Sequence, residues 1–156
     1  MPTELQSYTS LLLDIKKRIS IAQGKVANSI SSELTEMYWD IGYMIHERQQ
    51  KEGWGSGIIP KLAKDIVNDY PEIKGFSVRN LKRMLRFYRE YSKVPQPVAL
   101  LPWSHNILLI ERIKDVNERL WYANQIIKQG WNRDNLTQMI KNKSYQRHGG
   151  AITNLD

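Results

Sequence analysis

The sequence contains no cysteine. This removes disulfides, thiolate metal sites and cysteine nucleophiles together, and it fits a reducing compartment. No apolar run approaches the roughly 20 residues that a membrane span requires, and the opening Met1-Pro2-Thr3-Glu4 is no secretory signal. A cytoplasmic protein with no membrane association is expected. Clear period-two alternation is missing as well, so the reading is all-α, with a small β-ribbon near Val94 to Leu101 as the one competing possibility. Three of the nine glycines fall within five residues, at Gly53-Trp54-Gly55-Ser56-Gly57. That stretch matches neither GxxxxGK[ST] nor a strand-borne GxGxxG, so it reads as a tight turn seating Trp54 in the core. The three histidines, His46, His105 and His148, lack metal-ligand spacing, and neither a metal nor another cofactor is expected.

What is present is positive charge. The 156 residues carry 23 Lys and Arg against 16 Asp and Glu, a formal +7. Such an excess suits a polyanionic partner, nucleic acid ahead of an anionic membrane surface. Aromatics at 10% argue against a disordered basic tail. A chain of this length buries about two-thirds of the surface it exposes when unfolded, and one domain is expected.

The basicity is concentrated. From Ser77 to Lys93, six basic residues (Arg79, Lys82, Arg83, Arg86, Arg89 and Lys93) face one acid, Glu90. At roughly 100° per residue they fall within an arc of about 120°, while Val78, Leu81, Met84, Leu85 and Tyr88 take the adjoining arc at core-facing spacing. Ser77 is placed to cap this helix, and Phe76 to staple onto Leu81. A second helix over Ile58 to Tyr70 ends at Pro71, and a connector containing Gly75 joins the two. That order matches a helix-turn-helix reader of DNA, although the connector exceeds the usual three or four residues. In this reading Arg79, Asn80 and Arg83 reach base edges, and Lys82, Arg86, Arg89 and Lys93 hold phosphates.

Before that unit, apolar stripes over Thr3 to Gln23 and Lys25 to Lys51 predict long helices. Gly24 either separates them or kinks one longer helix. Two helices are expected, forming an antiparallel hairpin or the seam of a homodimer. Gly42, beside Tyr38-Trp39, admits close approach of a backbone or a ring. After Lys93, Ser104 is expected to cap one helix, Asp115 with Glu118 the next, which ends at Gly130, and Asn132 a last short one. His105 is expected to bond locally or pack under Trp103, with contact to DNA phosphate or a partner as the functional alternative. The layout is one domain over 1–148, with N-terminal helices in 3–51, a helix-turn-helix-like unit in 56–93 and C-terminal helices in 104–142. The chain turns polar from Lys143 and is expected to fray, with a flexible tail over 149–156.

Several strings carry a likeness: Tyr38-Trp39-x-Ile41-Gly42, Gly53-Trp54-Gly55, Gly75-Phe76-Ser77-x-x-Asn80-Leu81-x-x-Met84, Leu101-Pro102-Trp103-Ser104-His105-Asn106 and Trp121-Tyr122. Together, over about Tyr8 to Arg147, the chain resembles the N-terminal domain of the YhcG-like PDDEXK nuclease family. The resemblance implies a DNA-binding, helix-turn-helix-like module that precedes a C-terminal nuclease domain, which would begin after Tyr145-Gln146-Arg147. It implies targeting without cutting, in a lone N-terminal module or one part of a longer protein. Glu72-Ile73-Lys74, with Asp65 or Asp69 upstream, imitates the acid and Glu-x-Lys of a metal-dependent nuclease centre. Pro71 and the helix before it place that triplet in a connector, so no catalytic residue is expected. The alternative to DNA binding is a protein-interaction or dimerisation module that assembles a nuclease or restriction-type complex.

Overall fold

Between Thr3 and Lys51 the chain has no proline, and the structure, a computed structural model describing residues 3–55, 57–93 and 97–149, makes that stretch one helix. α1 runs Glu4–Glu52, opened by a capping box between Thr3 and Gln6 and closed by Gly53 in the left-handed conformation. The expected hairpin is therefore corrected to a single rod of 49 residues. Gly24 does not break it, and its lack of a side chain serves a contact: a Cβ there would collide with the carbonyl of Gly130. The helix tolerates the roughly 1 kcal/mol that glycine costs. Serines that would weaken a helix are accommodated too, with Ser29, Ser31 and Ser32 donating back to carbonyls three or four residues earlier.

The remaining helices are α2 (Ile58–Asp69), α3 (Val78–Tyr91), α4 (Trp103–Arg112), α5 (Val116–Gln129) and α6 (Arg133–Lys141). A 3-10 turn over Pro97–Leu100 precedes α4, and a π-type turn over Tyr145–Gly149 follows α6. The described residues contain no strand, so the fold is all-α. Of the stretch where a ribbon competed, Pro97–Leu100 is this helical turn and 94–96 lie outside the described residues.

α3 is the central helix. Leu81, Met84, Leu85, Phe87 and Tyr91 are buried, packed between α1, α2 and α4. Gly42 makes the closest of these seams: a Cβ would strike the Met84 carbonyl, so α1 and α3 touch backbone to backbone there. An aromatic cluster locks the seam, with Trp103 4.9 Å from Tyr38 and 5.2 Å from Phe87, and Trp39 5.3 Å from Phe87, all edge to face.

Capping follows the sequence at three helices and departs at one. Ser77, Asp115 and Asn132 accept from the backbone N–H three residues on. Ser104 does not cap, because α4 already begins at Trp103 after Pro102, whose fixed φ suits the entry to a helix. Trp54 is not seated in the core. It is 44% exposed at the mouth of an apolar cleft of about 400 Å³ between the end of α1 and α2. The chain beyond Lys143 does not fray as far as it is described: Tyr145 donates its N–H to the Tyr122 hydroxyl and stacks edge-on against Trp121 at 5.6 Å. The expected tail lies, from Gly150 on, outside the described residues.

Candidate nucleic-acid interface

The core contacts of α3 leave a narrow part of its circumference open. Four basic residues are exposed along it, Arg79, Lys82, Arg86 and Arg89, with Lys93 exposed in the turn that follows, and at 100° per residue the four span about 80°. Burying one face on three neighbouring helices fixes the direction of the other, so the cationic strip is held by the core itself. Lys82, Arg86 and Arg89 also line a shallow concavity of about 330 Å³, floored by Ile59 and Leu85 and flanked by Gln49. Its size and charge suit an anionic oxygen cluster.

The partners of each cation decide how much charge is available. Arg89 donates to α1 at 3.1 Å to His46 Nδ1 and 2.8 Å to Gln49 Oε1, neither of them a carboxylate, so its orientation is set without an acidic partner. Arg86 pairs with Glu90 at 2.8 Å. Glu90 also meets Arg119 at 2.9 Å, so one carboxylate serves two guanidinium groups and the trio stays net positive. Arg83 is different: its side chain is 28% exposed and bonded at 2.7 Å to Glu111 of α4. It belongs to the α3–α4 seam more than to the open strip.

Asn80 and His105 are both drawn into the fold, His105 along the structural reading expected of it ahead of a phosphate contact. Asn80 spends both ends of its amide inside the fold, donating to the Gly75 carbonyl at 2.7 Å and accepting from Trp103 Nε1 at 2.9 Å. It pins the α2–α3 connector onto α4 and has no free edge for a base. His105 is 4% exposed, with Nε2 2.8 Å from the Trp131 carbonyl. Burial holds it below its ordinary value of 6.5 and so favours neutral imidazole, which cannot reach a phosphate from inside.

One residue important to this region is absent from the sequence reading. Arg119 is 1% exposed. It donates to the carbonyls of Ile113 at 2.6 Å and Ile110 at 3.3 Å, closing the C-terminal end of α4, and it reaches Glu90 on α3. Its guanidinium also lies over the Tyr91 ring at 5.8 Å. Burial pushes the Tyr91 hydroxyl up to about 12, against the opposing pull of Arg119. The sequence does hold a signal, since Arg119 stands four and seven residues before buried Ala123 and Ile126, on the apolar stripe of α5. The Glu72-Ile73-Lys74 triplet lies in the turn between α2 and α3, on no strand.

A helical body built on one long rod, with a basic helix at its centre, defines the class as an all-α domain with a core-anchored cationic surface. The chain belongs to the DUF1016 N-terminal domain family, whose model matches residues 14–147. It is also 24% identical, over 83% of its length, to the Escherichia coli (strain K12) protein named "Putative nuclease YhcG". The match covers 43% of that relative, so the chain spans less than half of its length. No solved structure matches. The resemblance drawn from the motif strings thus holds at the level of the family. No helix among the described residues is long and apolar enough to cross a membrane.

Proposed function

We propose that this domain binds DNA through the outer arc of α3 and thereby positions a nuclease activity carried elsewhere in a longer protein. The observation that carries the reading is the exposed arc of Arg79, Lys82, Arg86 and Arg89, continued by Lys93 in the following turn, on a helix whose opposite face is fixed in the core. Relationship to a nuclease-named protein supports the nucleic-acid context.

The same geometry narrows the mode of binding. A helix that inserts into a major groove needs a wide free surface and side chains with unspent hydrogen-bonding edges. With an arc of about 80° open, Asn80 committed to Gly75 and Trp103 and Arg83 bonded to Glu111, α3 is suited to lie along the phosphate backbone. Arg79, at the first turn, remains the candidate for a base edge. Binding then depends strongly on salt and weakly on sequence. With three or four phosphates neutralised, log affinity falls against log salt at a slope of roughly −3 to −4.

The test is fluorescence anisotropy with labelled duplexes of two unrelated sequences, using the wild-type chain and an Arg79→Glu, Lys82→Glu variant. The expected result is similar affinity for both duplexes and a loss of at least about tenfold in the variant at unchanged melting temperature. Equal affinity of variant and wild type would refute the strip as the contact. A second reading, a protein-interaction module, is favoured by a separate observation, the uncovered apolar stripe of α1.

A further inference from the structure

Among the described residues, α1 is exposed at every position from Glu4 to Ser20 except half-buried Leu12, and at Ile21 and Gly24 it meets Gly130. Residues 4–20 therefore project beyond the body, an overhang of roughly 25 Å at 1.5 Å per residue. Along it and onward, Leu5, Tyr8, Ile15, Ile19, Ile30 and Met37 expose between 39% and 76% of their surface. With Leu12 between them, the first four recur at alternating steps of three and four, the spacing of a helix-pairing seam. On a 100° wheel the stripe lies about 150° around the rod from Gly24, Asn28, Thr35 and Gly42, the side that meets the body. It is therefore a second apolar face, which none of the described residues covers. A helix of that length is marginal in water by itself, and an apolar face of that extent marks a contact site.

Charge and topology choose the occupant. On the overhang Lys16, Lys17 and Arg18 outnumber Glu4 and Asp14, whereas Glu33, Glu36 and Asp40 border the stripe where α1 is anchored. Ile30, Leu34 and Met37 form with those three acids a shallow concavity of about 550 Å³, an apolar floor with an anionic rim. The complement of that surface, apolar side chains among cations, is the overhang of the same sequence. A parallel pair would set like charges together, which weakens association. An antiparallel pair sets the basic segment of each copy on the acidic segment of the other. It also keeps the two bodies at opposite ends, because each body occupies α1 only from Ile21 onward.

We propose that the protein self-associates as a two-fold antiparallel pair in which Leu12 to Ile19 of one copy, with Lys16 and Arg18, lies on the Ile30 to Asp40 face of a second copy. This pairing does not rest on DNA binding, and it is tested without nucleic acid. Sedimentation velocity at micromolar concentrations is expected to give twice 18.3 kDa for the wild type and the monomer mass for an Ile15→Glu, Ile19→Glu variant. The body of that variant stays folded, since neither side chain enters the core. Orientation is read by cysteine cross-linking, clean here because the chain has none of its own. With a short bismaleimide, Ile15→Cys mixed with Leu34→Cys is expected to give more covalent dimer than either alone. A monomeric wild type, a dimeric variant, or preferential cross-linking of Ile15→Cys with itself would each overturn the proposal.

Discussion

α3 and the overhang of α1 carry the same kind of pattern, apolar residues at steps of three and four with basic residues beside them, and the fold treats them in opposite ways. In α3 the apolar face is consumed by α1, α2 and α4, and charge is what remains outside. In the overhang no described residue covers the apolar face, and hydrophobic side chains remain outside. Periodicity announces that a helix has a face needing cover. Whether the same chain supplies that cover depends on which elements the connections bring alongside, and this decides which chemistry is presented to partners.

Substitutions divide along the same line. The largest loss is expected on the anchored side, at Arg119→Ala. It takes from Glu90 one of its two guanidinium partners and leaves the Ile110 and Ile113 carbonyls without their donor in the interior, at a cost of about 3 kcal/mol or more in denaturant unfolding. Gly42→Ala comes next, roughly 1–3 kcal/mol, because the added methyl pushes α1 off the Met84 backbone. If either variant unfolds at the wild-type midpoint, α3 is not anchored as described.

A smaller effect with a definite sign is expected from His105. Burial lowers its proton affinity in the native state, so the unfolded chain binds the proton more readily. The stability carried by the neutral ring is present above pH 6.5 and is lost as the pH falls from there toward the depressed native value. Comparing melting temperatures at pH 7.5 and pH 5.5 should show a drop in the wild type and a smaller one in His105→Gln, whose amide can still donate to Trp131. An equal drop in both would remove His105 from that role. The smallest effect is expected at the overhang, where Ile15→Ala should change the stability of the body by no more than about 0.5 kcal/mol. A larger loss would mean that the overhang folds against the body.

Much of the helical layout was legible from residues whose physics is local. Ser77, Asp115 and Asn132 cap where their side chains can reach a free N–H, and Gly53 and Gly130 end helices in the left-handed conformation. What could not be read was contact between distant parts of the chain. Gly24 looks like a break until Gly130 is brought against it, and Asn80 looks like a base reader until Gly75 and Trp103 take both ends of its amide. The strings that carry the family likeness are largely of this kind. Tyr38, Gly42, Asn80, Trp103 and His105 are pins and seams, whereas the cations proposed to meet DNA lie mostly between them.

The partners on α3 also determine which charges make an informative variant. Reversing Arg83 or Arg86 would disturb Glu111 or the Glu90–Arg119 contact and mix folding with binding. Arg79 and Lys82 are free of that difficulty. The decisive measurement is the salt dependence of duplex DNA affinity for the wild type beside Arg79→Glu, Lys82→Glu. Backbone binding through α3 predicts a wild-type slope of roughly −3 to −4, less steep by about 2 in the variant, with both proteins melting alike. A wild type that binds no duplex at low salt, or a variant with the same slope and affinity, would contradict it.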